Sequence, residues 1–196
     1  MSKKKTEPIK VPTIEQVAAE RNRLKYKSRY IWTLRSTISV LVVVAAIAIL
    51  VATIWMPVLQ IHGTSMGPTL NDGDIVISIK KLDLKQGDLV AFYYGNKLLI
   101  KRNIAGPGQW VNIDEAGNIY VDDVLLNEPY IEQKALGECD IELPYQVPDG
   151  RWFLVGDSRA LSVDSRSSQV GCIAQEQIIG KIVIRVWPIS QFGTLH

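Results

Sequence analysis

From Ile38 to Leu59 the chain runs 22 residues without a charge, most of them Val, Ile, Ala or Leu. This run limits the possible folds more than any other feature. Coiled as a helix it rises about 33 Å, the length of a bilayer hydrocarbon core of about 30 Å. A single uninterrupted strand of that length would be abnormal; the competing setting is a buried core helix. Trp32 precedes the run and Trp55 lies near its far end, where interfacial aromatics are expected. The stretch is too long, and begins too far into the chain, for the apolar region of a cleaved signal peptide. Pro57 can stop the helix near its far end without breaking its middle.

Charge is divided by this run. Residues 1–37 hold ten Lys and Arg against three Glu, whereas the remaining residues hold 12 basic and 17 acidic side chains. A basic arm that stops where the apolar run begins follows the positive-inside pattern. It predicts three parts: a basic cytoplasmic segment at 1–37, a transmembrane helix at 38–59, and an extracytoplasmic domain at 60–196. Thr13 and Gln16 have capping-box spacing, so a helix is expected over 13–35, with its Lys and Arg against anionic headgroups. Residues 1–12 read as a solvated tail. The basic arm comes with no nucleic-acid-binding motif, so no nucleic-acid partner is expected.

Beyond Leu59 the pattern changes to short apolar runs broken by turn residues. Strands are expected at 74–80, 88–94, 97–101, 110–113, 118–121, 151–155 and 178–187. Gly95-Asn96 is a two-residue hairpin signal, and Asp114 to Gly117 a longer one. There is no long helical period and no internal repeat. The expected fold is mainly β, a barrel or sandwich of antiparallel sheets preceded by one membrane helix. Phe92, Tyr93, Tyr94 and Trp110 are candidates for the core or for the membrane interface, with the core preferred.

Three segments carry chemistry. Gly63-Thr64-Ser65-Met66-Gly67-Pro68-Thr69-Leu70 follows the apolar run and sets a serine on a turn. Lys101-Arg102 ends an apolar strand, where a lysine drawn inward loses water and its pKa falls from about 10.4. A neutral lysine is a competent base for a serine hydroxyl. Gly156-Asp157-Ser158-Arg159 and Ser162-Val163-Asp164-Ser165-Arg166 offer two Asp–Arg pairs that can lock a loop. The only histidines are His62 and His196. One lies too close to Ser65 in sequence to fold back on it and the other is the last residue. A Ser-His-Asp triad is therefore nearly excluded, and a Ser–Lys pair remains.

Taken together, these segments resemble bacterial signal peptidase I. The family's Ser-Met-x-Pro-Thr-Leu appears as Ser65 to Leu70, its Lys-Arg strand ending in a Gly-x-Pro-Gly-like turn as Lys101 to Gly108, and its Gly-Asp-Asn-Arg and Ser-x-Asp-Ser-Arg motifs as residues 156–159 and 162–166. The resemblance covers roughly residues 30–190. It implies Ser65 as nucleophile, Lys101 as general base and Ser162 as the residue that orients the lysine. Asp157, Arg159, Asp164 and Arg166 become supporting residues, with Asp164–Arg166 the leading ion pair. Ile61, Leu70, Leu99 and Ile100 become the apolar lining for small substrate side chains. The implied activity is removal of signal peptides from exported preproteins at a cell membrane, with membrane lipids as neighbours and no metal or organic cofactor. Ser158 replaces an Asn, Asn103, Ala105 and Gln109 depart from the usual turn, and Gly63 stands where some relatives carry a serine that helps bind the oxyanion.

Two rival readings differ in class. One is a self-cleaving repressor with the same Ser–Lys chemistry, disfavoured by the apolar span and the missing DNA-binding module. The other is a non-catalytic or divergent relative serving surface-protein assembly, disfavoured by the presence of both Ser65 and Lys101. Cys139 and Cys172, both expected outside, could form a disulfide or remain two thiols.

Overall fold

The structure, a computed structural model, describes residues 13–80 and 83–195; the tail expected at 1–12 lies outside them. The chain divides into two units, residues 1–51 and 52–196.

Helix α1 spans Ile14–Trp55 as one element of 42 residues, about 63 Å at 1.5 Å per residue. The expected basic helix and the apolar run are therefore continuous. At its start the Thr13 N–H donates to Gln16 Oε1 at 3.1 Å, one half of the anticipated capping box. None of its residues is buried within the protein. The helix ends four residues earlier than the uncharged run. Pro57 disfavours helical geometry at Met56, and β1 (Val58–Gln60) is already paired with β2 (Ile75–Ile79).

The second unit is mainly antiparallel β. Its remaining strands are β3 (Leu89–Tyr94), β4 (Lys97–Ala105), β5 (Trp110–Ile113), β6 (Ile119–Val121), β7 (Val124–Leu125), β8 (Tyr145–Gln146), β9 (Arg151–Val155), β10 (Ile173–Ala174), β11 (Ile178–Trp187) and β12 (Gly193–Thr194). The larger sheet runs β1-β2-β11-β3-β4-β9-β10, with β12 also on β11; the smaller runs β7-β6-β5-β8. The Gly95-Asn96 hairpin forms as expected, with Tyr94 opposite Lys97 and Gly95 at φ 57°. At the second hairpin the Asp114 carboxylate accepts from the Asn118 backbone and side-chain N–H groups at 2.8 and 2.7 Å.

Alternation along the strands sorts the side chains into three apolar clusters. Leu89 and Ala91 of β3 enter one with Ile61, Met66 and Leu70; Val90 and Phe92 enter another with Trp152 and Leu154. Strand β3 is thus buried on both faces. Phe153 and Val155 join a third cluster with Val111, Ile119 and Val121 of the small sheet. Of the four aromatics weighed for the core, Phe92 is buried and Tyr94 half-buried, while Tyr93 and Trp110 are exposed. Cys139 and Cys172 are separate free thiols, and burial pushes that of Cys172 up to about 11.

Candidate active site

The turn that carries Ser65 is fastened from both sides. Met66 and Leu70 plug into the core beside Ile61, and within the turn the Gly67 N–H donates to Thr64 O and the Leu70 N–H to Met66 O. At its start the Gly63 N–H donates to Asp72 Oδ1 at 2.8 Å. Between these anchors Ser65 remains half-buried. Its carbonyl accepts from the Ser158 N–H at 3.1 Å, which ties the turn to the loop 156–166. Ser158 makes this link through its backbone, so the replacement of the usual Asn leaves it intact.

Lys101 lies on β4, which extends four residues beyond the strand expected from sequence. Its side chain is buried, and Nζ donates to Ser162 Oγ at 2.8 Å. Among the described residues it forms no ion pair with a carboxylate. Burial lowers its pKa from 10.5 to about 8. The Asp164 and Asp157 carboxylates oppose that shift, and the Arg166 guanidinium reinforces it.

Gly156 joins the two parts. A Cβ there would overlap Ser162 Oγ and come within 2.6 Å of the Ser65 carbonyl. Only a residue without a side chain lets the serine turn and the Lys101–Ser162 pair come together at this point. Gly156 is held by its N–H on Asp164 Oδ2 at 2.9 Å and by its carbonyl, which accepts from Arg159 Nε at 3.1 Å.

Three fully buried arginines brace this junction, each with its own carboxylate. Arg166 chelates Asp164 through Nε at 2.8 Å and Nη2 at 2.9 Å, the pair expected from the motif. Arg102 chelates Asp157 through Nε at 2.9 Å and Nη2 at 2.7 Å, and the Thr69 hydroxyl donates to the same carboxylate at 2.5 Å. Arg159 does not meet Asp157. Its partner is Glu128, a residue that sequence reasoning missed. The motif segments contain three arginines and a lysine but only two aspartates among their named pairs. That deficit of acid is the one sequence signal that could have prompted a search for a third carboxylate.

Of the expected apolar lining, Ile61, Leu70 and Ile100 share one cluster, whereas Leu99, one step along the pleat, packs in another with Phe92. Leu70 has no exposed surface. His62 is exposed beside Asp72 at 3.9 Å. The Gln109 side chain accepts from the Gly106 N–H at 2.8 Å and donates to Asp122 at 2.8 Å, so it closes the turn at which it departs from the family pattern.

The family model described as signal peptidase, peptidase S26, matches residues 34–187. Signal peptidase I of Streptococcus pneumoniae serotype 4 is 30% identical over 174 residues, covering 69% of this chain and 84% of that protein. Signal peptidase IB of Staphylococcus aureus is 34% identical over 152 residues, covering 67% and 78%. A crystal structure of a signal peptidase I from Enterococcus faecalis is 27% identical and overlays 53% of this chain and 98% of that one with a TM-score of 0.44. The family match runs unbroken across the Ser65 turn, the Lys101 strand and the Ser162 loop: the chain belongs to the signal peptidase family, peptidase S26, and is a serine peptidase.

Proposed function

We propose that the chain removes signal peptides from exported preproteins, with Ser65 as nucleophile and Lys101 as general base. The observation that carries this reading is the buried Lys101 amine, bonded to the Ser162 hydroxyl and with a pKa of about 8. Near neutral pH a useful fraction of that amine is unprotonated, which an ordinary lysine would not offer.

An extended substrate segment pairs with the strand edges, and small side chains before the cut rest against Ile100 and Leu99, both half-buried, with Ile61 and Leu70 behind. Lys101 Nζ takes the Ser65 proton as Oγ attacks the scissile carbonyl. The C–N bond then breaks, the proton passes from Nζ to the leaving amine, and an acyl-Ser65 ester remains. Water, deprotonated by Lys101, releases the signal peptide as a carboxylate and restores the serine. Since the Gly63 N–H is committed to Asp72, the oxyanion relies on other backbone donors, the Ser65 N–H first among them. The Asp157, Asp164, Arg159 and Arg166 side chains hold the loop. The apolar part of α1 serves as the single membrane span, with the basic end cytoplasmic and residues beyond it outside.

Cleavage of a signal-peptide substrate by the purified full chain in detergent tests this. Ser65→Ala and Lys101→Ala are each expected to abolish cleavage while leaving the fold intact. Normal turnover by Lys101→Ala would refute the mechanism.

A further inference from the structure

We propose that Glu128 and Tyr130, which lie outside all three motifs, form a positioning clasp that sets the alignment of Lys101 with Ser162 and Ser65. This rests on the catalytic reading given above. Glu128 is buried and grips Arg159 through both carboxylate oxygens, with Nη1 to Oε2 at 3.2 Å and Nη2 to Oε1 in close contact. Arg159 in turn holds the carbonyl of Gly156, the residue at which the Ser65 carbonyl and Ser162 Oγ converge. Two residues on, the Tyr130 hydroxyl donates to Glu128 Oε1 at 3.1 Å, and its ring lies 3.7 Å from the guanidinium carbon of Arg102. Arg102 is the immediate neighbour of Lys101. One short segment, leading away from the small sheet, thus holds the arginine beside the base and an arginine of the loop that orients it. Burial and the Glu128 charge raise the Tyr130 pKa, so it remains a neutral donor.

The geometry gives the clasp a signature that bracing of the fold alone would lack. If Arg159 lets go of Gly156, Ser162 Oγ is free to leave Nζ, and water reaches the amine. Burial is the main cause of the low Lys101 pKa, and the charged groups acting on the amine are Asp164, Arg166 and Asp157. All three remain when Glu128 is neutralised, so wetting raises the midpoint toward the ordinary lysine value.

The experiment uses the full chain in detergent as wild type, Glu128→Gln and Tyr130→Phe. Folded fraction is measured by thermal unfolding, and cleavage of a signal-peptide substrate is followed from about pH 6 to pH 10. Per folded molecule at neutral pH, Glu128→Gln is expected to lose about tenfold or more in kcat with little change in KM. The midpoint of the rising limb moves up, and activity partly returns at high pH. Tyr130→Phe shifts both in the same sense by less, and decides alone if Glu128→Gln does not fold. In parallel, NMR of carbon-labelled lysine follows the Lys101 amine without turnover. A higher midpoint in the variants supports the clasp even if the wild type cleaves nothing, an outcome that would count against the catalytic reading and not against the clasp. Unchanged kcat per folded molecule together with an unchanged Lys101 midpoint overturns the proposal.

Discussion

Two neighbouring cations on strand β4 are buried equally well and treated in opposite ways. Arg102 receives a chelating carboxylate, a hydroxyl, a carbonyl and an aromatic ring. Lys101 receives one serine hydroxyl. The partners of the arginine replace the water it lost. The lysine lost water without such replacement, so its charged form is the one penalised. Under the proposed mechanism, rigidity and reactivity come from the same operation, burial of a cation, and what differs is whether an acid is buried with it.

The contrast is broken most severely by removing the reactive member. Lys101→Met should lower kcat/KM by about a thousandfold or more, measured on a signal-peptide substrate with Ser65→Ala as the blank. Breaking the braced member should act on folding instead. Asp157→Asn strands a buried guanidinium and should cost about 3–5 kcal/mol in chemical denaturation, with loss of activity following loss of the folded state.

A third measurement sharpens the comparison through pH. A lysine whose folded pKa is below its unfolded one destabilises the fold at pH below about 8, where both states carry the proton. That cost is relieved as pH rises from about 8 to 10.5. Wild-type stability relative to Lys101→Met should therefore climb across this window, by an amount on the order of 3 kcal/mol. A flat difference would show that the amine is not dehydrated. The smallest effect is expected far from the pair. Gln109→Ala opens the turn after β4 and should cost about 1 kcal/mol while leaving cleavage unchanged per folded molecule.

The sequence was most readable where local rules govern. Strands β5, β9 and β11 have the ends that alternation and turn residues indicate, and the Gly95-Asn96 hairpin sets the β3–β4 register. Legibility failed where one signal concealed another. Val58–Gln60 lies at the end of a run read as bilayer-length, so its apolar residues gave no hint that they pair with β2. At the site, local spacing offered two Asp–Arg pairs alike, and the family resemblance singled out Asp164–Arg166, which does form. Asp157 and Arg159 have the same separation, yet each reaches a distant partner, Arg102 and Glu128. Nothing in local spacing distinguishes those two cases; tertiary packing decides.

The buried arginines have one more consequence. Arg102, Arg159 and Arg166 are each bonded to a carboxylate inside the protein. Unoccupied guanidinium groups would collect phosphates or carboxylates. With their charge balanced inside the protein, Arg102, Arg159 and Arg166 do not offer a free guanidinium to anions.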